Sequence, residues 1–408
     1  MKGSTFKRCT VCDRVVKGKR CTNCTSTSVS WGFIVDVGKD ADGKRRQRRR
    51  TGFATERDAD RALQELLASL GDGTAVAPST VTVAEYLTGQ WLPAVQPPNL
   101  RETTWIEYER MTRLHVAPRI GGVGLQDLNP SHMNRMYAEL LGAGRADGAG
   151  GLSVKSVRNI HLMLGKALGD AVRWGLLKRN IAPLADPPPA RAAAADRRER
   201  IRVWEADQLA TFLEHVRDDH LYALWFVLAT TGMRRGEALG LRWEDLDFAQ
   251  ARLSVRQALV SIDGTPKLQT VKSHHSVRTI DLDDDTVAVL RARRVAQAEQ
   301  RLAAGAGWED LALVFTRDDG HWENPDWVGE QFRRHVAAAG LLRIRPHDLR
   351  HTHATLLLKA GVNPKVVSER LGHHSVAFTL DTYAHVMPGM QREAATLFAA
   401  VVRSSSGS

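Results

Sequence analysis

The sequence predicts a multidomain chain: an N-terminal zinc knuckle with a small α+β module, then an all-α domain, then a larger, mainly α domain carrying a small antiparallel β-sheet. Three observations predict it. All four cysteines fall within the first 24 residues. Apolar residues recur at spacings of three and four through most of the remainder. Runs rich in β-branched residues, bounded by turn residues, are confined to one stretch near the N-terminus and one island after Trp204. A length of 408 residues suits more than one domain, and 43% hydrophobic with 25% charged residues excludes wholesale disorder. Lys and Arg number 57 against 46 Asp and Glu, a net charge of +11 that points to a polyanionic partner. No apolar run is long enough to span a bilayer, and MKGSTFKRCT lacks the apolar core of a secretory signal, so no membrane association and a cytoplasmic address are expected.

The first element is the pair of C-x2-C turns, Cys9 with Cys12 and Cys21 with Cys24, eight residues apart. Four thiolates at this spacing suit one tetrahedral ion, so residues 1–30 are expected to form a structural Zn²⁺ knuckle, with iron as the chemical competitor. Lys7, Arg8, Lys17, Lys19 and Arg20 favour thiolate over thiol. A closed site of four sulfurs leaves no position for catalysis.

Residues 31–78 read as strand (WGFIVDV), turn (Asp42-Gly43), a strongly basic strand (KRRQRRRTGF) and a helix capped by Thr55, with Gly71 beyond its end. Residues 1–78 hold 16 basic and 9 acidic side chains, so a large share of the net charge lies here. Lys44, Arg45, Arg46, Arg48, Arg49 and Arg50 are candidate phosphate contacts on a basic sheet face. Residues 80–183 read as packed helices starting near Thr103, Pro130 and Ser153, with Trp105, Tyr108, Met111, Leu114, Leu162, Leu164 and Trp174 as core. The Pro/Ala-rich 184–200 is a linker. In 201–403 the runs RLSVRQAL, TPKLQTV and HSVRTIDL predict one three-stranded sheet among helices, and LYALWFVLATTG is an apolar helix too short for a bilayer.

Three strings concentrate chemistry: TTGMRRGEALGLRW, RPHDLRHTHATLLLKAG and LGHHSVAFTLDTYAHV. Arg234 and Glu237 are three apart, as are His347 and Arg350, so each pair shares a helix face. Guanidinium forks bind non-bridging phosphate oxygens, imidazoles move protons and a phenol can be a covalent nucleophile, a set able to handle a phosphodiester without metal. His347 and His351 also imitate a zinc-protease pair, but Asp348 stands where that motif needs a glutamate.

The combination resembles the tyrosine recombinase (phage integrase) family, whose R…K…H-x-x-R…H…Y order is met by Arg234, Lys272, His347, Arg350, His373 and Tyr383. The resemblance implies that Arg234 and Arg350 clamp the scissile phosphate and Tyr383 attacks it to form a 3′-phosphotyrosyl link. Lys272 protonates the leaving 5′ oxygen, His347 and His373 bind the phosphate or assist proton transfer, and Glu237 supports Arg234. Arg235, Lys267, His374 and Tyr222 are the neighbouring alternatives that the motif passes over. Residues 31–78 look like an arm-type DNA-binding domain, 80–183 like the core-binding domain and 201–403 like the catalytic domain of an integrase. The resemblance further implies double-stranded DNA with core and arm sites as partner, a homotetramer on DNA, an excisionase and a host DNA-bending protein. It implies no cofactor for catalysis, and the nucleoid of a bacterial host as the working place. A C-terminal helix with Leu397, Phe398, Val401 and Val402 is expected to pack on a neighbour. A non-catalytic DNA-binding protein and a type IB topoisomerase are the competing classes.

Overall fold

The structure, a computed structural model, describes residues 3–18, 20–24, 26–39, 45–71, 76–145, 147–192, 201–262, 264–270, 277–373 and 375–383, with 396, 398 and 403. The chain divides into two compact units, 1–193 and 194–408.

In the first unit, β1 (Gly3–Cys9), β2 (Val29–Lys39) and β3 (Arg45–Phe53) form an antiparallel sheet in the order β1-β2-β3. Period-two alternation puts Phe33 and Val35 on one face, where they are buried against Leu63 of α1 (Glu56–Gly71), with Phe53, Ala62, Leu66 and Leu67 around them. β1 is an element the sequence does not announce, because GSTFKRC is short and polar. It forms by pairing, from Gly3 opposite Val35 to Cys9 opposite Val29. The division expected at residue 30 therefore falls inside β2, and the cysteine loop is the connection between two strands of the sheet. Thr55 caps α1 by accepting from the Asp58 amide at 3.2 Å, whereas Gly71 is the last residue of the helix rather than the residue beyond it. The Asp42-Gly43 turn lies outside the described residues.

A second core in this unit is all helical. α2 (Val83–Tyr86) and α3 (Leu92–Val95) are joined by a π turn at Leu87–Trp91, and α4 (Glu102–Met111) and α5 (Ala117–Ile120) by another at Thr112–Val116. They pack with α6 (Pro130–Ala143) and α7 (Val154–Arg173). The apolar stripe of α7, Val157, Ile160, Leu164, Ala167, Leu168 and Ala171, is buried, and Ser153 caps it by accepting from the Ser156 amide at 3.1 Å. Trp91 Nε1 donates to the buried Asp170 at 2.8 Å, and Tyr86 donates to the Ala167 carbonyl at 2.6 Å. Three expectations need correction. α4 begins at Glu102 behind Arg101 rather than at Thr103. Leu162 is 62% exposed, because two positions from Leu164 it lies on the opposite side of the helix. Trp174, just past the end of α7, is 42% exposed and meets Tyr86 edge-on.

The second unit is built around α9 (Tyr222–Thr231), whose Leu224, Trp225, Val227 and Leu228 are all buried. An α-helix apolar on every side is here the centre of a core, with α8 (Ala206–His215), α11 (Asp284–Ala304) and α12 (Pro325–Ala338) forming the rest of the frame. Trp204, Phe212, Trp225 and Phe332 stack or meet at 5.1–6.5 Å. Tyr222, the tyrosine that the motif passes over, is half-buried at the start of α9, against Phe226. No helix among the described residues is long and apolar enough to cross a membrane.

The β island is two sheets, not the single sheet expected. β4 (Leu246–Asp247), β5 (Arg252–Val255) and β8 (Arg278–Asp281) form one, and β6 (Gln257–Ile262) with β7 (Thr265–Thr270) forms a separate hairpin. The run RLSVRQAL breaks at Arg256, which leans toward Asp245 at 3.5 Å. β6 then runs against α10 (Arg235–Leu239), where Gly236 and Gly240 permit a backbone approach: a Cβ on either would lie within 3 Å of the Leu259 backbone.

Truncating Leu164→Ala in the helical core of the first unit should cost about 2–5 kcal/mol, read as a lower urea midpoint with an unchanged slope.

Candidate active site and cysteine cluster

The site begins where α9 stops. Gly232 ends the helix at φ +65°, and a Cβ there would lie 2.6 Å from Leu371 and 2.8 Å from His353. This turn delivers Arg234 to the N-cap of α10. Glu237, buried in the first turn, accepts from the Arg234 backbone N–H at 2.9 Å and from its Nη1 at 2.6 Å. Its other cation is Arg278 of β8, whose Nη2 donates at 2.8 Å while Nε donates to the Arg370 carbonyl. Burial pushes the Glu237 carboxyl up, but Arg278 and then Arg234 overcome this and hold it at about 2.

α13 (Pro346–Lys359) starts with proline at its first position, behind Arg345. Asp348 closes that end, taking the Arg345 backbone N–H at 2.8 Å and its guanidinium at 2.9 and 3.0 Å. The acid of the zinc-protease look-alike is thus committed to a helix cap. Two turns of α13 then present His347, Arg350 and His351 together. Arg350 is buried and donates to the Gly232 carbonyl at 2.9 Å and to the Leu371 carbonyl at 2.6 Å. Burial, then the charge of Arg234, lowers its pKa to about 9, so it stays a cation at neutral pH.

α14 (Pro364–Leu371) ends at Gly372, φ +65°, and the His373 amide folds back onto the Ser368 carbonyl at 2.9 Å. His373 Nδ1 then meets Thr379 Oγ1 at 2.7 Å, with the ring edge-on to Phe378. α15 (Val376–Tyr383) carries the fully buried Tyr383, whose Oη lies 2.7 Å from His351 Nδ1. Burial is the main cause that lowers His347 and His351 to about 4 and His373 to about 3, assisted by neighbouring guanidinium groups, so all three imidazoles are neutral at pH 7.

Arg234, Glu237, His347, Arg350, His373 and Tyr383 are therefore brought to one locality by five helices. Arg235 leaves it, turning toward Asp326 at 3.7 Å. Lys272, with His274 and His275, lies outside the described residues, as do His374 and most of the C-terminal apolar strip; of that strip Phe398 is described, and is exposed. Sequence reasoning missed four members: Arg278, His351, His353 and Arg370. Arg370 donates to His353 Nε2 at 3.2 Å and to the Thr230 carbonyl at 3.0 Å, and His353 Nδ1 in turn bonds the Ala229 carbonyl at 2.9 Å. The contacts with Thr230 and Ala229 span 140 and 124 positions, and no spacing rule foretells them.

In the first unit the four cysteines converge: Cys9 Sγ is 3.4 Å from Cys24, Cys12 is 3.3 Å from Cys21, and all four sulfurs lie within 4.8 Å of one another. Tetrahedral thiolates at a metal–sulfur distance of about 2.3 Å would stand about 3.8 Å apart, so the quartet fits one such ion. The amides of Asn23 and Cys24 draw the Cys21 thiol down to about 6, whereas at Cys24 the lowering by the Ser26 amide is outweighed by Cys9 and burial, which push it up to about 12, so full ionisation of the quartet would need a cation at its centre. This is the sole His/Cys/Asp/Glu grouping of metal-holding geometry among the described residues.

On β3, Arg48 and Arg50 stand opposite Val35 and Phe33 and so share the face of α1, while Arg49 stands opposite Ile34 on the other face, 4.6 Å over the Phe6 ring. The arginine run is divided between two faces, not gathered on one, because consecutive strand residues alternate. Arg45 and Arg46 begin the strand, and Lys44 lies outside the described residues.

Glu237 generates a test with a definite sign. Its pKa is depressed on folding, so its contribution is fully present above pH 4.5 and disappears as pH falls toward 2. Glu237→Gln should cost on the order of 3 kcal/mol at pH 7. Urea titrations across pH should show parent and variant converging in acid; a gap that does not change with pH would contradict this account.

Comparison with known proteins follows the same division. Residues 199–389 match the model of the phage integrase family, residues 24–70 an Arm DNA-binding domain and residues 82–141 the phage integrase N-terminal SAM-like domain. A tyrosine recombinase XerC-like protein of Caldanaerobacter subterraneus is 26% identical, covering 88% of this chain and 93% of that protein. The ICEBs1 integrase of Bacillus subtilis is 30% identical over 60% of this chain and 65% of its own length. Among solved structures, the Tn1549 transposon integrase in complex with a circular intermediate DNA shares the fold at TM-score 0.61 and 21% identity, covering 78% of this chain and 99% of that one. A lambda integrase tetramer bound to a Holliday junction shares it at TM-score 0.52 and 16% identity, covering 86% and 93%. With its catalytic, SAM-like and arm-binding regions all matched in order, the chain belongs to the phage integrase family of tyrosine recombinases.

Proposed function

We propose that this chain is a site-specific DNA recombinase that integrates and excises a mobile element by transesterification. The observation that carries the reading is the convergence of the half-exposed Arg234 with the buried Arg350 and Tyr383 in one cluster rich in neutral imidazoles. A guanidinium has five N–H donors. Arg350 commits one from each Nη to a carbonyl and Arg234 commits Nη1 to Glu237, so both keep donors for non-bridging phosphate oxygens. Tyr383 attacks phosphorus, a 3′-phosphotyrosyl bond forms, and the P–O5′ bond breaks with Lys272 protonating the departing oxygen. The 5′-hydroxyl of a partner strand then displaces Tyr383. Phosphodiester energy is conserved, and the reaction needs no cofactor. His347 and His373, neutral and close to the arginines, serve as hydrogen-bond donors to the phosphate.

The arrangement we infer on DNA is a homotetramer. Residues 80–183 and 201–403 hold the core site and the sheet of 31–78 holds arm sites, with Arg48, Arg49 and Arg50 as phosphate contacts in a bacterial cytoplasm. An excisionase and a host bending protein belong to the same reading. The cysteine quartet is a structural Zn²⁺ site: Cys9, Cys12, Cys21 and Cys24 would hold the ion and fix the β1–β2 connection, and it takes no part in strand cleavage.

Two outcomes test the reading. Tyr383→Phe should abolish the covalent adduct on nicked attachment-site DNA while leaving affinity for that DNA within about twofold; an adduct in that variant would refute the assignment. The purified chain should hold one equivalent of zinc, and Cys21→Ser should lose it together with several degrees of thermal stability in the N-terminal module.

A further inference from the structure

We propose that His351 is the catalytic base of strand cleavage, taking the phenolic proton of Tyr383. The inference rests on the reading of Tyr383 as nucleophile and adds to it a residue that no motif position assigns. The geometry is direct: Nδ1 and Oη are 2.7 Å apart, within the reach proton transfer requires, and the rings tilt toward each other at 5.7 Å. His351 sits one residue after Arg350, so the phosphate clamp and the base come from adjacent positions on one helix. The groups facing it are His347 on its own helix, edge-on at 5.2 Å, and the cations Arg345 and Arg350 and the carboxylate Asp348 of the same helix. From the other elements they are Tyr383 on α15 and His373 beyond α14. In this buried and cationic setting the imidazole is neutral at pH 7, which leaves Nδ1 free to accept when the ring proton is on Nε2.

The step balances. As the Oη–P bond forms, the Oη–H bond breaks and its proton moves to Nδ1, giving an imidazolium. The P–O5′ bond breaks, and the leaving oxygen is protonated by a separate acid. In rejoining, an incoming 5′-hydroxyl attacks phosphorus and gives its proton to the conjugate base of that acid, the P–Oη bond breaks, and the imidazolium returns its proton to Oη. The enzyme ends in its starting protonation state.

The test is single-turnover cleavage of attachment-site DNA by the full chain carrying His351→Asn, which places an amide oxygen near the position of Nδ1 and keeps a hydrogen bond while removing the basic nitrogen. Cleavage should fall about 100-fold or more with DNA affinity unchanged; a loss of threefold or less would reduce His351 to a hydrogen-bonding support and overturn the proposal. A second measurement replaces Tyr383 with 3,5-difluorotyrosine, a more acidic but weaker nucleophile. In the parent it should slow cleavage or leave it unchanged, and in His351→Asn it should speed it at least tenfold. Acceleration in the parent would show that ionisation is unassisted there and would overturn the proposal even if His351→Asn did not fold. Tyr383→Phe runs alongside: an adduct in that control would defeat the nucleophile assignment itself, an outcome distinct from failure of the base.

Discussion

One buried guanidinium holds the site together. Arg350 donates to the Gly232 carbonyl, two residues before Arg234, and to the Leu371 carbonyl, two residues before His373. Both acceptors lie at helix C-termini, where unsatisfied carbonyls carry partial negative charge that a buried cation can use. Three segments distant in sequence are thereby pinned by one side chain, and each supplies a residue of the proposed site. Nearby, Glu237 gives the second arginine its counter-ion and ties it to the strand carrying Arg278. The positive charge is arranged with little carboxylate close to Arg350, which leaves the locality electropositive.

That charge balance also explains the histidines. Imidazoles buried beside fixed cations lose their affinity for protons, so His347, His351 and His373 are uncharged where solvent-exposed histidines would be partly protonated. The cations remain those that cannot be titrated away at physiological pH, and the histidines stay available as neutral donors and acceptors.

What the sequence discloses and what it hides have physical reasons. TTGMRRGE is legible because a left-handed glycine, an N-cap and a first-turn acid are local devices with fixed spacing. HDLR and LGH are legible for the same reason. The cysteine quartet is legible because two C-x2-C turns have few other uses. The division of RLSVRQAL between two sheets is not, since no glycine, proline or asparagine marks Arg256 and the break is dictated by which neighbours the two halves find. β1 is hidden because its seven residues acquire a strand conformation only from Val29–Val35 beside them. The sidedness of the arginine run depends on pairing register, and the partnership of His351 with Tyr383 spans 32 positions across α13 and α15.

Tyr383 has no exposed surface, although in the proposed reaction it is the group that must touch a phosphorus atom. A duplex is far too bulky to reach a phenol inside a packed core, so on that reading the side chains over it must part to admit a phosphate while Tyr383 keeps its 2.7 Å contact with His351. A nucleophile sheltered in this way would be withheld from DNA until binding supplies the energy to open its cover.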